Sequence, residues 1–335
     1  MTVAFRLFNV QPFSSRLRQS QKKGDYPGLD TNPKRVHIPS MTFRELEKRF
    51  PTETACLDYL VSMRWADGVA CPRCGNAKVY KLKAAHRWSC KACNPNGYRF
   101  SPIAGTIFEN TNIKLRTWFH AIFLMCQSKK GVSALQVHRM IGTGSYETAW
   151  YMCHRIRAAM QDGTFGKLMG EVEVDETYIG GRSTNRHAKD RKRLDRRSES
   201  GKVTVIGAIS RKGNVVCKLI ERADRKTMEK FVSETVSERV SLLATDEHSG
   251  YAKLGSKGYK HEAVTHSGGE YVRKGVYGVV HTANLDSFWA LLKRGIVGSF
   301  HHVSKDYLPL YLNEFSFRFN RRNDRAIFDA IVAGC

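Results

Sequence analysis

Acidic residues are scarce in this chain. Its 335 residues include 31 aspartates and glutamates against 55 lysines and arginines, so its formal net charge is +24. No apolar run approaches the length of a membrane-spanning helix, which argues against a membrane protein. No internal repeat and no secretory signal peptide are visible. The positive excess creates a field that attracts polyanions, and it predicts a nucleic acid as the partner.

The cysteines do not form the even set that builds a disulfide framework. There are nine, and an odd number without a signal peptide indicates a reducing compartment. Four of them form two C-x2-C pairs separated by fifteen residues: Cys71, Cys74, Cys90 and Cys93. Four thiolates on two such turns are a tetrahedral donor set for structural Zn²⁺. Two disulfides or four buried thiols are the alternatives, and the spacing favours a zinc ribbon at 69–102.

The chain divides into regions of different periodicity. Residues 1–40 are basic and formally similar to a transit peptide, although a disordered leader or an upstream extension of the reading frame would look the same. Helical spacing of apolar residues marks 41–68 and 103–165. Strand patterns and then alternating helices mark 166–303, and a helical extension covers 304–335. The predicted fold class is α+β and multidomain, with a mixed sheet flanked by helices.

The range 133–160 predicts two helices joined by a glycine-containing turn, with Ser145 able to cap the second helix. On that second helix, the apolar spacing leaves His154, Arg155 and Arg157 more outward. A DNA recognition helix has this form, and so does any pair of packed helices with a solvated basic face. The basic context favours DNA contact.

Three carboxylates are predicted to converge from two strands and a helix. Asp175 shares one strand face with Glu173, a costly arrangement in an apolar sheet unless a cation meets it. Asp246 ends a second buried strand, and Asp286 lies on an amphipathic helix with Lys293 two turns later on the same face. Carboxylates are hard oxygen ligands for Mg²⁺ or Mn²⁺, and two such ions promote phosphodiester displacement. Any one of these aspartates alone would favour a simpler role as a helix cap or a surface residue, and it is the set with its strand-strand-helix order that indicates a metal site.

Several segments resemble the catalytic blocks of a family of insertion-sequence transposases in which a zinc ribbon precedes a DDE domain. They are 171–181 (EVEVDETYIGG), 245–251 (TDEHSGY) and 281–295 (HTANLDSFWALLKRG), and the resemblance covers residues 41–325. It implies a ribonuclease-H-like fold for the catalytic domain and zinc binding by the four paired cysteines.

The resemblance also implies individual roles in the active site. Asp175 and Asp246 correspond to metal ligands, and Lys293 corresponds to a residue that contacts phosphate. The third acidic position of the family is usually glutamate, whereas this chain has Asp286, whose side chain is one methylene shorter. Asn284 is the runner-up for the third ligand.

A basic insertion at 182–202 follows the strand of Asp175. It contains nine lysines and arginines and three acids, which predicts an exposed loop. Arg191, Lys192 and Arg193 are candidates for contact with the DNA backbone. The alternative is a solvated charged loop.

These observations predict a bacterial transposase that cleaves the ends of its element and transfers the strands into target DNA. It would act as a homo-oligomer on DNA, in the cytoplasm and associated with the nucleoid, with no membrane partner and no small-molecule substrate. The alternatives are a zinc-ribbon DNA-binding protein, a catalytically decayed transposase, and a structure-specific nuclease that uses the same carboxylates.

Overall fold

The computed structural model describes residues 41–93, 96–161, 166–180, 202–211 and 213–335. The predicted leader therefore lies outside the described residues, as does the basic insertion apart from Lys202. None of the helices in the described ranges combines the length and apolar character needed to cross a bilayer.

Five α-helices precede or follow the ribbon in the described N-terminal half: α1 (Phe43–Arg49), α2 (Glu53–Arg64), α3 (Leu115–Gln127), α4 (Ala134–Ile141) and α5 (Tyr146–Ala159). Side-chain oxygens of Thr42, Thr52, Ser133 and Ser145 cap α1, α2, α4 and α5 by accepting a backbone N–H of the first turn. The predicted Ser145 cap is confirmed. The helices share one core, which contains the fully buried Trp118 of α3.

The predicted ribbon is a three-stranded antiparallel sheet: β1 (Tyr80–Lys81), β2 (Trp88–Cys90) and β3 (Tyr98–Phe100). Trp88 and Phe100 stack with ring centroids 6.0 Å apart. Trp65, which directly follows α2, packs edge-on against both rings. This small aromatic core fixes the ribbon to the end of α2.

The C-terminal half contains a mixed five-stranded sheet of order β6-β5-β4-β7-β8. Its strands are β4 (Glu171–Ile179), β5 (Val203–Ser210), β6 (Val215–Ile220), β7 (Leu242–Thr245) and β8 (His261–Ala263). The first three are antiparallel neighbours, while β7 runs parallel to β4 and β8 parallel to β7. A parallel neighbour needs a crossover, which α6 (Arg225–Thr235) supplies between β6 and β7. This is the mixed ribonuclease-H-like fold that the sequence predicts.

Helices cover both faces of this sheet because its side chains alternate. Val174 and Ile206 face α6, whereas Val205 and Ile209 face the helices that follow the sheet. Those helices are α7 (Ala283–Gly295), which continues into a π-helical turn (Ile296–Phe300), and α8 (Leu308–Asn320). A short hairpin of β9 (Arg273–Lys274) and β10 (Val279–Val280) precedes α7.

The last helix, α9 (Ile327–Ala333), packs in the core of the N-terminal helices. Phe328 lies against Phe119 and Phe50, and the Tyr59 hydroxyl of α2 donates to the Asp329 carboxylate. Helices α8 and α9 both lie within the range of the predicted C-terminal extension. The return of α9 to the N-terminal core could not be read from its local pattern, because any amphipathic helix has a face to bury.

Candidate active site and metal centres

The four paired cysteines form one cluster. Their sulfurs all lie within 4.8 Å of one another, with 3.6 Å between the Sγ atoms of Cys71 and Cys93 and 3.7 Å between those of Cys74 and Cys90. A tetrahedron with Zn–S bonds of about 2.3 Å requires sulfurs about 3.8 Å apart. The cluster therefore fits Zn²⁺, and no disulfide joins any of the nine cysteines.

A second cluster consists of carboxylates in the large sheet, where β7 ends beside β4. Oxygens of Asp175, Glu176 and Asp246 lie within 4.8 Å of one another. The first two residues belong to β4, and Asp246 directly follows β7, the parallel neighbour of β4. Three hard oxygen donors at this separation fit a divalent cation such as Mg²⁺ or Mn²⁺. The structure thus brings together two of the predicted aspartates and adds Glu176.

Glu176 was missed because neighbouring strand residues point to opposite faces of a sheet. Asp175 approaches the cluster from the α7 face, where it contacts Trp289. Glu176 approaches from the α6 face, where its Oε2 accepts a 2.8 Å hydrogen bond from the buried hydroxyl of Tyr251. The sequence signal was the adjacency of the two acids. Side chains from both faces can meet Asp246 because β7 ends at Thr245, beside the middle of β4.

The surroundings of Asp175 disfavour its charge when no cation is bound. Burial, and then the neighbouring charges of Asp246, Glu176 and Asp286, raise the pKa of Asp175 to about 7. A 3.0 Å hydrogen bond from the Trp289 indole Nε1 to Oδ2 partly opposes that rise. Burial also raises the pKa of Glu176. A bound cation would favour the ionised form of both groups.

Asp286 lies in the first turn of α7, exposed and facing the cluster closely enough for its charge to act on Asp175. Its Oδ2 accepts a 3.2 Å hydrogen bond from the Thr282 hydroxyl. Among the described residues, the group of carboxylates within 4.8 Å of one another does not include it. Lys293 lies two turns further along α7 and is also exposed, as the spacing predicts.

Glu173, the other acid of the predicted strand face, has a structural environment. It is fully buried, and its carboxylate accepts backbone N–H groups of Asn284 and Leu285 at the start of α7 at 2.9 and 3.1 Å. It also pairs with the Arg211 Nε at 2.9 Å and the His281 Nδ1 at 3.1 Å. The helix terminus and a cation thus compensate its burial. The Asn284 side-chain amide donates to the same carboxylate at 2.8 Å, beside the predicted metal site.

The predicted outward position of His154 is wrong, because this residue is buried. The predicted outward position of Arg157 is wrong as well. Its side chain is almost fully buried, with Nε 2.7 Å from Oε2 of Glu314 and the guanidinium 4.0 Å from the centre of the Tyr311 ring. Helix α8 covers this face of α5, which the sequence pattern of α5 alone could not reveal. Arg155 is half-buried and donates to the carbonyl of Glu109 at 3.0 Å. Both contacts brace the fold.

The structure does not test the other predicted DNA contacts. Arg191, Lys192 and Arg193 lie outside the described residues. Helices α4 and α5 form at the predicted place, with Gly142 in a left-handed conformation between them. Contact between this helix pair and DNA stays a prediction.

Two parts of the chain match known protein families. Residues 51–96 match a transposase zinc-ribbon domain, and residues 167–320 match an ISXO2-like transposase domain. An uncharacterized protein in transposable element ISH50 of Halobacterium salinarum is 28% identical over 289 residues, which cover 81% of this chain and 92% of the relative. No solved structure matches.

Proposed function

Because the chain belongs to the insertion-sequence transposases that place a zinc ribbon ahead of an ISXO2-like DDE domain, we propose that it cleaves the ends of its element and joins them to target DNA. The observation that carries the proposal is the cluster of Asp175, Glu176 and Asp246, where β7 ends beside β4. Three carboxylates at this separation, partly buried, repel one another unless a cation lies between them.

The chemistry is a pair of phosphodiester displacements. Water first attacks at the element end and releases a 3′-hydroxyl, which then attacks a phosphodiester of the target and displaces its 3′-oxygen. A divalent cation would supply Lewis-acid activation of the attacking oxygen and stabilisation of the leaving oxygen.

The residues of this chain have distinct parts in the proposal. Asp175 and Asp246 would hold the cation together with Glu176. Asp286 on α7 is the third acidic ligand that the family resemblance implies. Because its side chain is short, it would reach the cation through a shift of α7 or through a bridging water. Lys293, exposed on the same helix, contacts a phosphate of the DNA end.

The other parts of the chain bind DNA and organise the complex. Zn²⁺ in the four-cysteine cluster braces the ribbon, and the +24 charge of the chain favours DNA over neutral or cationic partners. Two element ends must be held together for joining, so we propose a homo-oligomer on DNA. Arg157 is not included in the DNA surface because of its burial.

The test is an assay of labelled element ends and target DNA with Mg²⁺ or Mn²⁺. The unmutated protein is expected to cleave and join strands, and Asp175→Ala or Asp246→Ala to abolish both reactions while preserving zinc content and DNA binding. Glu221→Ala, which removes an exposed carboxylate after β6, is the matched control and should retain activity.

The alternatives give different outcomes in the same assay. Cleavage without joining would identify a structure-specific nuclease. DNA binding without metal-dependent cleavage would identify a zinc-ribbon binding protein or a decayed transposase, and would contradict the proposal.

A further inference from the structure

Trp289 connects the core of the catalytic domain to the carboxylate cluster. It lies on α7, its side chain is almost fully buried, and its indole Nε1 donates to Oδ2 of Asp175 at 3.0 Å. This bond fixes one oxygen of the carboxylate and leaves the other available for a cation. Neutral donors to metal-binding carboxylates orient them without competing for the charge.

The indole reaches Asp175 through space that a glycine leaves open. Gly207 of β5 is the direct cross-strand neighbour of Asp175. A Cβ added to Gly207 would lie 2.7 Å from both Cη2 and Cζ2 of Trp289, closer than real contacts allow. The backbone of Gly207 lies outside the left-handed region, so its conformation does not require glycine. Glycine is required because a Cβ atom would have no room beside Trp289.

A purely structural role for Trp289 would not require this arrangement. Phenylalanine would fill much of the same core beside Phe288 and Leu285. An indole in an apolar core must find an acceptor for its N–H, and the acceptor here is a carboxylate of the proposed metal site. Gly207 lies opposite Asp175, and the indole packs against Gly207 and binds the Asp175 carboxylate. Together they indicate that this carboxylate is held in one particular orientation.

We propose that Trp289, seated in the space left by Gly207, is a positioning residue that orients Asp175 for cation binding. The inference rests on the proposed metal-dependent function. It concerns cation affinity, which can be measured without DNA, so the two can fail separately.

The first experiment measures Mn²⁺ binding to the full chain by electron paramagnetic resonance, with zinc already bound. Trp289→Phe removes the N–H donor and keeps an aromatic ring, and we expect Mn²⁺ affinity to fall roughly tenfold. The matched control is Trp118→Phe, since Trp118 is also fully buried and its Nε1 donates to the Thr111 hydroxyl at 3.4 Å, in the other core. This control should bind Mn²⁺ like the unmutated protein.

The second experiment is a double-mutant cycle with Gly207→Ala. The added methyl should displace the indole and weaken Mn²⁺ binding in the unmutated background. Phenylalanine lacks the outer indole atoms Cη2 and Cζ2, so Gly207→Ala should cause little further loss when combined with Trp289→Phe. Equal, additive losses in both backgrounds would show that the glycine acts independently of the indole and would overturn the inference.

Other outcomes separate this inference from the proposed function. Unchanged Mn²⁺ affinity in a folded Trp289→Phe variant overturns the positioning role, whatever the activity. No Mn²⁺ binding by the unmutated protein overturns it as well. If the affinities change as expected but the unmutated protein does not cleave element ends, the positioning role stands and the transposase proposal fails.

Discussion

The two ligand clusters of this protein are assembled in different ways. The four cysteines lie within one short segment, since Cys71 and Cys93 are 22 positions apart, and two turns and a small sheet bring them together. Asp175 and Asp246 come from separate strands of a large sheet, with α6 and two other strands between them in sequence. The zinc ligands are close in sequence, and the zinc cluster organises the fold of the ribbon. The carboxylate ligands come together only through the fold of the large sheet, which does not depend on the carboxylate cluster.

This difference predicts opposite effects of removing a ligand. The ribbon has only a small aromatic core, so loss of its metal removes most of its stability. The catalytic domain has cores on both faces of its sheet, and the buried charge of Asp175 opposes folding when no cation is present. A substitution should therefore unfold the first site and stabilise the second.

The largest expected effect is the loss of zinc. Cys71→Ser or Cys93→Ser should abolish the one zinc per chain and unfold the ribbon, because structural zinc contributes on the order of 10 kcal/mol to such small domains. Elemental analysis and thermal unfolding measure this loss. Cys217→Ser is the control. Cys217 lies in the core of the catalytic domain, so this variant should retain the zinc of the ribbon. Freshly purified, reduced protein that contains no zinc would contradict the assignment.

The second prediction concerns the stability of the metal-free catalytic domain. The pKa of Asp175 rises from an ordinary value of 3.8 to about 7 on folding, so the folded protein binds this proton more tightly than the unfolded chain. Stability should therefore fall as pH rises from about 4 to about 7 and stay low above that range.

Asp175→Asn removes that dependence because asparagine carries no charge. At pH 8 without divalent metal, the variant should be more stable by on the order of 4 kcal/mol, and the difference should vanish near pH 4. Denaturant unfolding at both pH values measures it, and Asp306→Asn, an exposed aspartate, is the control. Equal stability of Asp175→Asn and unmutated protein at pH 8 would show that the carboxylate is well solvated.

The third prediction separates the candidates for the third acid. Asp286→Ala should reduce cleavage at least about a hundredfold, near 3 kcal/mol in the barrier, whereas Asp286→Glu should keep or raise it by restoring the longer side chain. Asn284→Ala should be mild, because its amide binds Glu173. Normal cleavage by Asp286→Ala with an inactive Asn284→Ala would reverse the assignment.

The smallest effect concerns DNA affinity. Replacing Arg191, Lys192 and Arg193 with glutamine should reduce the slope of log affinity against log salt concentration. The slope should fall by up to about 0.9 for each phosphate that the variant no longer neutralises. Fluorescence anisotropy with duplex DNA measures the slope. Lys226→Gln with Lys230→Gln, exposed on α6 across the sheet from α7, is the control. An unchanged slope would mean that the insertion does not touch DNA.

Features with local signatures followed from the sequence. The cysteine spacing predicted the ribbon because each turn has two residues between its two ligands. Ser145 predicted a helix start because a cap acts on the following turn. Strand and helix periodicity predicted the mixed sheet and its flanking helices. The segments around Asp175 and Asp246 indicated the family, and the fold places both residues in one cluster.

Features that depend on distant contacts were decided only by the tertiary structure. Arg157 is buried because α8 provides Glu314, and no property of α5 predicts which helix will cover it. Glu176 joins the cluster because β7 ends at Thr245, beside the middle of β4, and Asp246 follows directly. Trp289 meets Asp175 because Gly207 leaves room between them, a fit of three elements that periodicity cannot encode. The sequence by itself determined the elements and their chemistry, and long-range packing decided which side chains meet.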